Sequence, residues 1–100
     1  MSQAATKLRL DKWLWHARFY KTRSLAASRV QAGAVRVNGS IAQKRATLIV
    51  VGDVLTFPMG DDVRVIQIDA IGIRRGPAPE AQTLYTDLSP PVPRSEKKQP

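Results

Sequence analysis

The sequence has no cysteine and a single histidine, His16. The first absence excludes disulfides, thiolate nucleophiles and zinc sites built on cysteine. A lone histidine acting as general base needs a nucleophile or carboxylate partner, and no triad order suggests one. No apolar run approaches the roughly 18 residues of a membrane-spanning helix, and the opening MSQAATKLRL lacks the apolar centre of a signal peptide. A soluble cytoplasmic protein is therefore expected. No internal repeat and no cofactor or metal motif is present, and at 100 residues the chain holds one small domain at most.

Acidic residues are scarce where basic ones are dense. Residues 7–48 hold ten Lys or Arg against one acid, Asp11. From residue 61 onward six basic residues meet six acidic ones, so the net charge of +8 comes from the first half. Such concentration is the electrostatic footprint of a surface made for a polyanion. The apolar fraction of 43% suffices for a globular core.

Along the chain, Leu10, Trp13, Leu14 and Ala17 fall within about 100° on a helical wheel, an apolar stripe in a helix expected from Leu8 onward. Trp13 belongs to the core. Trp15 points off the stripe, so it either packs on a later element or offers a stacking surface. His16 is expected at the surface or helix edge, and Asp11 is expected to pair with a neighbouring arginine and orient it. Thr22 suits the N-cap of a second helix over residues 23–32, with Gly33 as its left-handed terminator. Asn38-Gly39 between Val35-Arg36-Val37 and Ser40-Ile41-Ala42 predicts a hairpin with a type I′ turn. Strands are expected near residues 48–51, 54–57 and 63–71, with turns at 52–53 and 58–62. That last turn fully explains Asp61-Asp62, which would make a poor metal site without a third ligand. Arg74-Arg75 sit in a loop, where they either extend the basic surface or keep the loop soluble. Pro79 and Glu80 suit the start of a short helix that Leu84, Tyr85 and Leu88 would dock on the sheet.

A helix pair followed by a hairpin would gather Arg9, Lys12, Arg18, Lys21, Arg23, Arg29, Arg36 and Lys44 on one surface. Arginine suits such a surface because its planar fork meets phosphate oxygens in two places. Thr22 and Ser24, at the start of the second helix, add donors for one more phosphate. The bland alternative is a solvated basic face. A DNA-reading helix-turn-helix would offer only Arg23, Arg29 and Gln31 to the bases and lacks a bracing third helix. RNA, recognised through shape, phosphate and 2′-OH contacts, fits better. A membrane-surface module would need the apolar stripe that the core requires.

Four stretches resemble an S4-type RNA-binding domain, the αL motif named after a ribosomal protein: R-L-D-K-W-L at residues 9–14, K-T-R-S-L-A at 21–26, G-x-V-x-V-N-G at 33–39 and G-D-V-L at 52–55. Beyond them, R-R-G-P-A-P-E-A-Q-T-L-Y at 74–85 is similar to the segment following that domain in the small ribosome-associated heat-shock RNA-binding proteins. The resemblance implies an α+β fold, with two N-terminal helices packed on a small, mainly antiparallel sheet and a short C-terminal helix. It implies a non-enzymatic protein without cofactor. The implied role is binding structured ribosomal RNA on a large subunit that carries a stalled nascent chain and its tRNA, and helping to recycle it. Carried over by position, the RNA contacts are Arg9, Lys12, Arg18, Lys21, Arg23, Ser24, Arg29 and Arg36, with Asn38 at the hairpin turn and Lys44 beside it. S4-type modules are also appended to RNA-modifying enzymes, but no catalytic domain fits this length. The expected organisation is a flexible lead-in (1–8), the S4-type domain with its sheet extension (9–71), a basic loop and short helix (72–88) and a disordered Pro-rich tail (89–100). The protein is expected to be a monomer.

Overall fold

Helix formation begins two residues later than the apolar pattern suggests. In the computed structural model, which describes residues 6–42, 44 and 46–89, Leu8–Arg9 forms a two-residue strand, β1. The helix α1 is Leu10–His16. Leu8 pairs with Ile49 and Arg9 with Leu48, an antiparallel ribbon with β4, Leu48–Ile49. The Leu10 amide donates to the Thr47 carbonyl at 2.7 Å, which ties the start of the helix to this ribbon. Leu8 thus leaves the expected lead-in and packs against the core.

The second helix, α2, is Arg23–Gln31. The Thr22 hydroxyl accepts the Leu25 amide at 3.0 Å, as an N-cap should. At the other end Gly33 has φ 79°, the left-handed conformation that closes a helix. The hairpin follows as β2, Val35–Val37, and β3, Ser40–Ala42. Its turn holds Asn38 at φ 52° and Gly39 at φ 91°, both positive as a type I′ turn requires.

Two longer strands complete the centre of the sheet: β5, Val54–Met59, and β6, Asp62–Ile68. The expected turn at 58–62 contracts, because Pro58 and Met59 continue β5 opposite Val63 and Asp62. Pairing of β2 with β5 reaches only Thr56, so the amide that Pro58 lacks interrupts no ladder on that side. The C-terminal helix, α3, is only Ala78–Ala81, continued by a 3-10 turn at Gln82–Leu84. Instead of docking a helix, Tyr85 opens β7, Tyr85–Asp87, and Leu88 is exposed. The Leu84 carbonyl accepts the amides of Asp69 and Ala70, which holds the chain beside β6 and turns it into an edge strand. The five-stranded antiparallel sheet runs in the order β3-β2-β5-β6-β7.

The core lies between this sheet and the two longer helices. Leu10, Trp13, Leu14, Ala26 and Val30 meet Val35, Leu55, Phe57, Ile66 and Ile68 there, all buried. The indole Nε1 of Trp13 donates to the Ala70 carbonyl at 2.9 Å. Further along the same loop, Arg75 Nε donates to the Trp15 carbonyl at 3.1 Å, and Arg18 Nη1 to the Gly76 carbonyl at 2.8 Å. This loop covers the end of α1. His16 is therefore buried, 2% exposed, and not at the surface as its helical position suggested. Trp15 packs on the same loop, with the Arg75 guanidinium 5.7 Å from its ring centre. Ser89, expected in the tail, accepts the Val65 amide through Oγ at 2.8 Å. Residues 1–5 of the expected lead-in and 90–100 of the expected tail lie outside the described residues, and Thr6 and Lys7 are exposed.

Candidate nucleic-acid interface

Asp11 sits in the first turn of α1 and is 1% exposed. A buried carboxylate needs partners, and two arginines supply them. Arg9 donates from Nε to Oδ1 at 3.1 Å and from Nη2 to Oδ2 at 2.8 Å, a two-point pairing. Arg23, at the first position of α2, brings Nη2 to 3.9 Å from Oδ1. Both arginines keep substantial exposure, while the acid between them has almost none. The negative charge is hidden and the positive charges face outward.

These side chains line a cleft of about 490 Å³ together with Ser24, Ala27, Ser28 and Gln31 of α2. Ser28 and Gln31 follow Ser24 by four and seven residues, so one face of the helix carries all three toward the cleft. Ser28 and Gln31 are absent from the contacts expected from sequence, although helical spacing from Ser24 marks both. Lys12, one turn into α1, stands near enough to His16 to act on its charge, as does Arg23. That field and, above all, burial hold the His16 imidazole below its ordinary range, against a hydrogen bond to the Ile71 backbone.

The other expected contacts divide. Lys21 and Arg29 are exposed, at the entry to α2 and in its last turn. Arg36 is exposed on β2, and its Nη1 reaches the Gly39 carbonyl at 3.5 Å. Lys44 lines a separate shallow cleft beside the hairpin with Ile41 and Thr47. The Asn38 carboxamide is engaged within the fold: Nδ2 donates to Asp53 Oδ1 at 3.0 Å, and Oδ1 accepts the Val54 amide at 2.9 Å. Arg18 turns away from the cleft toward Gly76 and lines a different cavity, with Phe19 and Arg64. The structure thus gathers Arg9, Arg23 and Ser24 in one cleft, and sets Arg36, Asn38 and Lys44 on the hairpin.

Of the two arginines after Gly72, Arg74 pairs with Glu80, and Arg75 packs on Trp15. Among the described residues no group of His, Asp or Glu side chains is placed to hold a metal ion, and no helix is long and apolar enough to cross a membrane.

Residues 8–55 match the family model of the S4 domain. Over 93 residues the chain is 42% identical to heat shock protein 15 of Escherichia coli, spanning 93% of this chain and 69% of that protein. The chain belongs to the heat shock protein 15 family. Its fold is accordingly the S4-type RNA-binding fold. A solved structure of Vibrio cholerae heat shock protein 15 superposes with a TM-score of 0.82 at 42% identity, covering 94% of each chain. That structure is of a trimer. The family resemblance extends to a Halalkalibacterium halodurans protein named RQC P-site tRNA stabilizing factor, 34% identical over 92 residues. The match covers 89% of this chain and 100% of that protein.

Proposed function

We propose that the protein binds structured ribosomal RNA on the large ribosomal subunit, acting without catalysis on subunits that retain a stalled nascent chain and its tRNA. The observation that carries this reading is the pairing of Arg9 and Arg23 around the buried Asp11 carboxylate at the lip of the α1–α2 cleft. Two guanidinium groups held by one hidden acid present a preset fork to phosphate oxygens, with the Ser24 and Ser28 side chains beside it. Lys12, Lys21 and Arg29 extend the positive surface along the helices, and Arg36 and Lys44 extend it over the hairpin. Arg18 lies outside this cleft, on a separate cavity. The name of one relative, an RQC P-site tRNA stabilizing factor, supports the ribosomal setting.

Titration of a structured ribosomal RNA fragment against salt tests the RNA reading. With about six phosphate contacts, affinity falls on the order of a thousandfold between 50 and 200 mM salt. A flat response would overturn it. Sedimentation of heat-stressed cell extracts through sucrose gradients tests the ribosomal setting: the protein should migrate with large subunits. Its recovery at the top of the gradient would count against that assignment.

A further inference from the structure

A second cavity, of about 380 Å³, lies where the chain leaves α1 and meets the β5–β6 hairpin and the C-terminal segment. Phe19, Tyr85 and Met59 line its apolar part, and Arg18, Arg64 and Gln82 bring polar groups to it. The Phe19 and Tyr85 rings lie 4.7 Å apart between centres, and the Arg64 guanidinium stands 5.4 Å from the centre of Phe19. Arg64 is also paired through one nitrogen with Asp87 at 2.8 Å, which leaves its other N–H groups outside that pair. The other arginine occupies an unusual backbone position. Arg18 has φ 65°, in the left-handed region that glycine normally supplies after a helix. A side chain with a Cβ carries a steric penalty in that region. Among the described residues one hydrogen bond, to the Gly76 carbonyl, draws on the five N–H donors of that guanidinium.

Aromatic rings beside two guanidinium groups and a carboxamide form the chemical set that takes an unpaired nucleobase: a stacking surface, cations for the adjoining phosphate, and a donor–acceptor group for the base edge. We infer that this cavity binds one unstacked nucleotide of single-stranded RNA, as a contact separate from the α1–α2 cleft. The inference rests on the reading of the protein as an RNA binder and adds a component specific for single strand. The cleft engages phosphates of folded RNA. The cavity captures a base from a bulge or overhang next to it.

Two measurements on the full chain decide the matter. In NMR titrations, AMP should shift the ring protons of Phe19 and Tyr85 together with the side-chain N–H signals of Arg18 and Arg64. Ribose 5-phosphate should leave the rings unmoved. In binding assays, a hairpin RNA with a three-nucleotide single-stranded tail should bind about tenfold tighter than the same hairpin with a blunt end. Gln82→Ala should reduce that gain, leave blunt-hairpin affinity unchanged and remove no core side chain, whereas Arg18→Gln, which also takes a charge from the basic surface, should lower affinity for both hairpins and for the tailed one more. Unmoved rings in AMP would overturn the inference. Equal affinity for tailed and blunt hairpins would also overturn it, whether or not AMP binds, while leaving the α1–α2 cleft as an RNA site. A blunt hairpin that fails to bind would instead overturn the preceding reading, and a tail that restores binding through Arg18 would still support the cavity.

Discussion

Asp11 and Arg9 meet as carboxylate and fork across a single intervening residue, the acid buried and the base exposed. The acid makes no contribution to attracting RNA by charge, yet it sets the plane of one arginine and steadies a second. The two effects predict opposite outcomes when it is replaced. Asp11→Asn raises the net charge from +8 to +9, which by charge alone would strengthen RNA binding. If the orientation of Arg9 and Arg23 governs affinity, Asp11→Asn should instead weaken it about tenfold at fixed salt, the scale of one charge-assisted hydrogen bond. Fluorescence anisotropy with a structured RNA reads the sign directly, and stronger binding would show that the fork is unimportant.

Arg23 and Arg29 lie at opposite ends of α2 and both are exposed. Replacing both with glutamate should weaken RNA binding and lower the salt slope by about one for each phosphate no longer engaged. Arg29→Glu alone should change thermal unfolding little, since Arg29 is exposed, whereas Arg23→Glu sets a second carboxylate beside the buried Asp11 and should lower the unfolding midpoint as well. Unchanged affinity with an intact fold would place the binding surface elsewhere.

Trp13 anchors α1 to the loop after β6 through its bond to the Ala70 carbonyl. Trp13→Phe removes the donor, leaves that carbonyl unpaired and shrinks a fully buried side chain. A stability loss of about 1–3 kcal/mol is expected from the hydrogen bond alone, measured as a lower urea midpoint. An unchanged midpoint would mean that the loop is held without Trp13.

Stability should depend on pH through His16. The folded state holds this imidazole below its usual 6.5, chiefly by burial and additionally through Lys12 and Arg23. The unfolded chain therefore takes up a proton first as pH falls, so the folded state loses stability as pH drops below about 6.5. Above that value the contribution of neutral His16 is fully present. Urea midpoints should fall between pH 7.5 and 5.5, and His16→Gln should flatten that slope. A variant with the same slope as the parent would assign the dependence to other groups.

The hairpin illustrates what local sequence determines. Asn-Gly specifies positive φ at two successive residues, and the alternation of Val35, Arg36 and Val37 specifies a face, so the turn and the strands around it follow from short-range sterics. The Thr22 cap and the Gly33 terminator are equally local, because each concerns backbone groups within one helical turn. The bond between Asn38 and Asp53 is not local. It joins positions fifteen residues apart, and no spacing rule marks it.

His16, Arg18 and Tyr85 show the opposite case. On a helical wheel His16 is a polar edge residue, and only the loop carrying Ala70, Arg75 and Gly76 covers it. Arg18 belongs to the basic run by position, yet its side chain is drawn to Gly76, 58 residues away. Tyr85 fits the pattern of a docking helix, but the vacant edge of β6 recruits it into a strand.

The order of residues by itself settled where charge accumulates, where the first two helices begin and end to within a turn, and which turn reverses the hairpin. Those properties depend on composition and on neighbours along the chain. Which arginines share a cleft, which acid lies hidden between them and which histidine loses its water were decided only when α1, α2 and the sheet closed on a common core. Burial and partner choice depend on segments far apart in sequence, and the core packing that joins them is written in no single stretch.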